Sequence, residues 1–287
     1  MAQQETGVFA RLERFYDALP RPDARAENFG GLVLFVREGA GWPYYARPRP
    51  RADTPSAADV TAVRERQRAL RLPESFEWVH ENNPDLLAVA RSAGLDVLLA
   101  PLMVLETAAL VPDLPVAGAT IRLLDPGSPG FAADLAASRA VAQLGFGAPA
   151  AADAPINGAL ITHPAGPAER DAVPHPGADV IEVARKRTAG GRVTTAVVES
   201  PDQGVLASGI VQRVDDVAEI AGVATLPSAR RRGYASQLTA TLARDALHHG
   251  IHLIFLSAGD DDVARLYSRV GFRRIGTACI AEPASSH

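Results

Sequence analysis

Three arginines run into a glycine in the stretch ARRRGYAS, Ala229–Ser236. The next residues, YASQLTATLARDALHHG (234–250), carry Leu238, Leu242 and Leu247 at helical spacing. A strand-like run, VAEIAGVATL (217–226), precedes the arginines, and Pro227 ends it. Residue types in this order can bind an anion. The first amide N–H groups of a helix have no internal acceptor and sit at the positive end of its dipole, so together they receive phosphate well. Gly233 has no Cβ to hold an anion away from the backbone, and Ala235 is small as well. The alternative is a basic, solvated turn capped by Ser228, because an Arg/Gly-rich turn alone has low specificity.

Other chemistries find less support. The chain has 287 residues, enough for one large domain or two ordinary ones, and 47% of them are hydrophobic. Its net charge of −4 argues against wholesale nucleic-acid binding. Cys279 is the single cysteine, so there is no internal disulfide, and Cys/His metal spacings are absent. The first twenty residues lack the apolar core of a signal peptide, and no apolar run approaches the ~20 residues of a membrane span. The expectation is a cytoplasmic protein that binds neither membrane nor nucleic acid.

The elements that would position the cradle fall in the second of two halves, 115–287. A strand is predicted at 119–124 and a helix from Phe131 to Leu144. The Ala/Pro/Gly-rich stretch 146–177 is long for a connection and is expected to border a substrate site. VTTAVVES (193–200) and GVLASGIVQRV (204–214) form a hairpin around PDQG. After the strand at 217–226 and the helix at 234–250 come a strand at 251–258, a short helix closed by Gly271, and a last strand at 273–282. This β-β-β-α-β-α-β order predicts an α/β domain with a mixed sheet. In the first half, 1–114, helices are predicted over 6–18, 57–70 and 84–94. The second has Thr54 or Ser56 as cap and the third is stopped by Gly94. GLVLFVRE (31–38) reads as a strand, and 95–106 as two short strands broken at Pro101.

R-x-x-G-x-A (Arg230, Gly233, Ala235) after the strand EIAGVATLP resembles the acyl-CoA pyrophosphate loop of the GNAT superfamily of N-acetyltransferases. ARLYSRVGF (264–272) resembles the same superfamily's A-x-x-L-Y-x-x-x-G-F motif. Two motifs in the right order, with one helix and one strand between them, are far more specific than either alone. The resemblance covers 192–282 and implies the GNAT acyl-CoA N-acyltransferase fold for 117–282. It further implies acetyl-CoA as co-substrate, an amine acceptor and no metal. Backbone amides of Arg231, Arg232, Gly233, Tyr234, Ala235 and Ser236 would hold the pyrophosphate. Main-chain groups of Val223, Ala224 and Thr225, on a strand that splays from its neighbour, would bond the pantetheine arm. Arg230, Arg231 or Arg232 could pair with CoA phosphates.

The family's direct attack of amine on thioester needs a neutral amine, a polarised carbonyl and a protonated leaving thiolate. By motif position Tyr267 is the candidate acid, and the alternative is an aromatic packed on the sheet. Glu219 is the candidate base, and the alternative is an edge carboxylate. Strand alternation would set Glu219, Ala221, Val223 and Thr225 on one face. Cys279 reads as a small core residue. Asp261 stands where the family often has an Asn that contacts CoA, so no contact is assigned to it.

RSAGLD (91–96) mimics the loop motif, but a strand comes after it instead of a helix. It aligns better with SRVGFR (268–273), which makes the first half a degenerate GNAT-like lobe, the alternative being an unrelated lid. Trp78, His80 and Glu81 could contact an acceptor, or could be ordinary packing and surface. The sequence therefore points to an acetyl-CoA-dependent N-acetyltransferase, monomer or homodimer. The alternative is a non-catalytic acyl-CoA-binding sensor or structural protein.

Overall fold

The computed structural model describes residues 2–147 and 164–284, with side chains from residue 7 onward. In chain order the elements are α1 (Ala2–Ala18), β1 (Ala24–Phe29), β2 (Leu32–Arg37), β3 (Arg47–Pro48), α2 (Ala57–Ala69), β4 (Phe76–Val79), α3 (Leu86–Ser92) and β5 (Leu95–Leu105). Next come β6 (Thr120–Leu123), α4 (Phe131–Gly147), α5 (Pro167–Asp171), α6 (Ala178–Ala189), β7 (Val193–Ser200), β8 (Gly204–Val214) and β9 (Val217–Thr225). The last are α7 (Tyr234–His248), β10 (Leu253–Ser257), α8 (Asp261–Val270) and β11 (Phe272–Pro283). Most of the stretch expected to border a substrate site, 148–163, lies outside the described residues.

Packing divides the chain into two units. One comprises 1–104, 257–265 and 273–287, and the other 105–256 and 266–272. A single cut at 114/115 does not separate them, because the chain returns to the first unit after Leu256.

In the first unit, Ser56 caps α2 as expected. Its hydroxyl accepts from Asp59 N at 3.2 Å, while Asp59 Oδ2 accepts from Ser56 N at 2.9 Å. Leu32, Leu34, Val60, Val63, Phe76 and Trp78 form a core with Cys279 and Ala281, which β11 brings alongside β4 with Cys279 opposite Trp78. The buried Cys279 thiol is pushed up to about 12, by burial first, as suits a core residue and not a nucleophile. Trp78 is core as well, and the exposed Glu81 accepts from Thr277 N at 3.1 Å. Tyr16 on α1 lies under the Arg47 guanidinium, 3.9 Å from it, and Arg47 pairs with Glu77. The 95–106 segment differs from expectation. It is one continuous strand, because Pro101 removes a single donor while its carbonyl still accepts from Ala258 N at 2.9 Å.

In the second unit the strands run in the order β10-β9-β8-β7-β6. Only β10 and β9 are parallel, so the sheet is mixed as predicted. The β7–β8 hairpin closes at Ser200↔Gly204, on the PDQG turn. α7 covers one face with Leu238, Leu242, Ala243 and Ala246 buried. α4 covers the other, where Ser208 Oγ donates to Ser138 O at 3.0 Å. Arg213 on β8 reaches Asp245 on α7, with 7% and 11% of the two side chains exposed. Removing one partner of a buried pair strands the other charge, so Asp245→Ala is expected to cost about 3–5 kcal/mol in urea unfolding. Asp113→Ala, breaking an exposed pair with Arg244 at 3.5 Å, should cost under about 1 kcal/mol. Equal losses at the two positions would show that solvent reaches Arg213.

Candidate functional site

The site is built from the end of β9 and the start of α7. β9 pairs in step with β8 from Val217↔Val214 to Ala221↔Ile210, but the next pair is Ala224↔Ser208. β9 thus uses one residue more than β8, a bulge, and Gly222 takes the left-handed backbone (φ +62°) that such a bulge favours. The bulge changes which residues share a face. Glu219, Ala221 and Ala224 lie opposite Gln212, Ile210 and Ser208, on the α4 side. Thr225 lies opposite Ala207, on the same face as Ala218 and Ile220. The expected alternation Glu219-Ala221-Val223-Thr225 therefore holds only to Ala221. The isolated glycine in the strand was the sequence signal for this.

The parallel ladder with β10 ends at Phe255↔Glu219, well before β9 itself ends at Thr225. The strand thus parts from its neighbour, as the resemblance led one to expect. Glu219 is half-buried where the ladder stops.

After β9, Pro227–Ala229 make one 3₁₀ turn. Arg230 is extended (φ −62°, ψ 162°), and Arg231 is left-handed at φ +63°, a conformation that costs a non-glycine residue roughly 1–2 kcal/mol. Gly233, at φ +78°, is the N-cap of α7 and offers no side chain to cap it. Ser228 does not fill that role. Its N–H donates to Ala165 O at 3.1 Å instead. The first helical bond is Gln237 N to Gly233 O at 3.3 Å, which leaves the N–H groups of Tyr234, Ala235 and Ser236 without an intrahelical acceptor. A Cβ on Gly233 would meet nothing within 4 Å, so the approach to these amides is open.

The three arginines are not equivalent. Arg231 and Arg232 are exposed, the latter with a long contact of 3.4 Å to Ser228 O. Arg230 is partly buried and donates through Nη2 to Gly145 O at 2.8 Å. Tyr234 is buried with its hydroxyl on Ala117 O at 3.1 Å, so only its backbone faces the cradle.

Tyr267 is buried on α8, edge-on to Phe272 with ring centroids 6.2 Å apart. Burial pushes its phenol up to about 12, so it holds its proton at neutral pH. Asp260, not Asp261, caps α8: its Oδ1 accepts from Val263 N at 2.7 Å, while exposed Asp261 pairs with Arg274 at 3.3 Å. Among the described residues no group of His, Cys, Asp or Glu could hold a metal ion, and no helix is long and apolar enough to cross a membrane.

Residues 195–281 match the family model described as FR47-like protein. A GCN5-related N-acetyltransferase from Kribbella flavida shares the fold with a TM-score of 0.66 and 24% identity, over 98% of this chain and 97% of that one. A putative GNAT-family acetyltransferase from Novosphingobium aromaticivorans aligns with a TM-score of 0.50 and 18% identity, over 92% and 93%. A tandem GNAT protein from the clavulanic acid biosynthesis pathway aligns with a TM-score of 0.50 and 15% identity, over 89% and 79%. No match is found among curated proteins. The chain thus carries an FR47-like segment at 195–281 and shares its fold with GNAT acetyltransferases.

Proposed function

We propose that the protein is an acetyl-CoA-dependent N-acetyltransferase that moves acetyl directly to an amine in a ternary complex. The observation that carries this reading is the uncapped start of α7. Three orphan amides come after a left-handed glycine with open space before it, flanked by two exposed arginines. Such a helix end fits a pyrophosphate. The β9 bulge and the shortened β10 ladder leave main-chain groups of Val223–Thr225 for the pantetheine arm.

In the proposed chemistry a neutral amine attacks the thioester carbonyl, the C–N bond forms and the C–S bond breaks. Tyr267 gives its proton to the departing thiolate, and Glu219, directly or through water, takes the proton from the amine. By sequence segment, we assign 115–287 as the acetyltransferase domain and 1–114 as a degenerate GNAT-like lobe. The fold shared with a tandem GNAT protein supports the second assignment.

Calorimetric titration with acetyl-CoA, paired with thiol release over an amine panel, tests the reading. Saturable binding with acceptor-dependent release is the expected result. Binding without release from any amine would favour the sensor reading, which the burial of Tyr267 makes a real competitor, since a phenol near 12 is a weak acid. No binding would remove the cradle.

A further inference from the structure

Arg230 opens the loop motif, but its guanidinium donates to Gly145 O on α4. We propose that Arg230 is a positioning residue, not a phosphate ligand: it fastens the last turn of α4 to the loop that enters α7. The proposal rests on the acetyl-CoA reading above.

The last turn of a helix leaves its carbonyls without intrahelical donors and carries the negative end of the dipole. Gly145 O, in the last turn of α4, receives Arg230 Nη2 at 2.8 Å. A cation there makes a charge-assisted bond, stronger than a neutral one. The contact is part of a wider seam. A Cβ on Gly145 would lie 2.9 Å from Ala224 Cβ and 3.2 Å from Thr225 O, so α4 touches β9 just past its bulge. On the far side of the 3₁₀ turn, Ser228 N donates to Ala165 O at 3.1 Å. A Cβ on Gly166 would lie 2.9 Å from Ser228 Oγ. The stretch 224–230 is therefore gripped by the end of α4 and by residues 165–166. Arg230 is the charged residue of that stretch, and its Nη2 is held by Gly145 O. Arg231 and Arg232 are the exposed cations.

An acyl donor without phosphates separates the two roles. Turnover is measured with acetyl-CoA and with S-acetylpantetheine, using an acceptor found in the amine panel, for the wild type and for Arg230→Met, Arg230→Lys, Arg231→Ala and Arg232→Ala. A positioning role predicts that Arg230→Met lowers kcat/KM roughly ten-fold or more with both donors, and that Arg230→Lys, which can still donate to Gly145 O, recovers part of it. Arg231→Ala and Arg232→Ala should raise KM for acetyl-CoA alone. Loss with acetyl-CoA but not with S-acetylpantetheine in Arg230→Met would make Arg230 a phosphate ligand and overturn the proposal, as would no loss with either donor. Amide hydrogen exchange in the same full-length variants supplies a readout that needs no activity. Faster exchange around Gly145 and Ala224 in Arg230→Met supports the fastening, and unchanged exchange overturns it. If the wild type uses neither donor, it is the acetyltransferase reading that fails, and exchange alone then decides the role of Arg230.

Discussion

Gly233→Glu is expected to raise the dissociation constant for acetyl-CoA by more than about a hundred-fold while leaving the protein folded. Two effects act together. The backbone at Gly233 is left-handed (φ +78°), which costs a residue with a side chain roughly 1–2 kcal/mol. A Cβ there meets nothing within 4 Å, so glutamate does not clash with the protein and instead occupies the open approach to the amides of Tyr234–Ser236. Its carboxylate then competes with phosphate for the same positive helix end. Gly233→Ala carries the strain without the charge and should weaken binding far less. The comparison is read by calorimetry, with circular dichroism to confirm folding. Equal affinities for Gly233→Glu and wild type would mean that the cofactor does not pass this helix end.

Tyr267→Phe should lower kcat by roughly 10²–10³, the range usual for loss of a general acid, with affinity for acetyl-CoA changed less than about two-fold. Removing one hydroxyl from a buried ring preserves the packing on Phe272. The pH profile adds a check. Burial raises the phenol from its ordinary value near 10 to about 12, so the group stays protonated in the folded enzyme throughout the working range. No alkaline fall in kcat from this group is expected below about pH 11. The sign for stability comes from the same shift. The contribution is complete below pH 10, where the unfolded chain also holds its proton, and it is lost as pH rises through 12. A fully active Tyr267→Phe would assign the proton to another group or to water.

Much of this was legible because its signals are local. The cap of α2 needs only Ser56 and Asp59, three positions apart, and the β7–β8 turn needs only PDQG. The elements of the candidate cradle were legible for the same reason, as strand, loop, glycine and helix succeed one another along the chain. α6 gave no periodic signal because it buries none of its residues. The bulge in β9 was announced only by Gly222, and it moved Thr225 to the face opposite Glu219. Arg230 read as one more cationic residue in the loop, because its partner Gly145 lies 85 positions earlier. The division into units was equally hidden, since nothing near the last strand signals that it joins residues from the beginning.

That last pairing has a consequence for how the protein is made. Val79 in β4 sits opposite Ala278 in β11, about 200 residues later. On a ribosome adding roughly 5–20 residues per second, β4 waits roughly 10–40 s for its mate. Throughout that interval the nascent first unit lacks Cys279 and Ala281 from its core and leaves one flank of β4 bare. Closing so long a loop is slow in itself. β11, made about 200 residues after β4, is the clasp that completes this core.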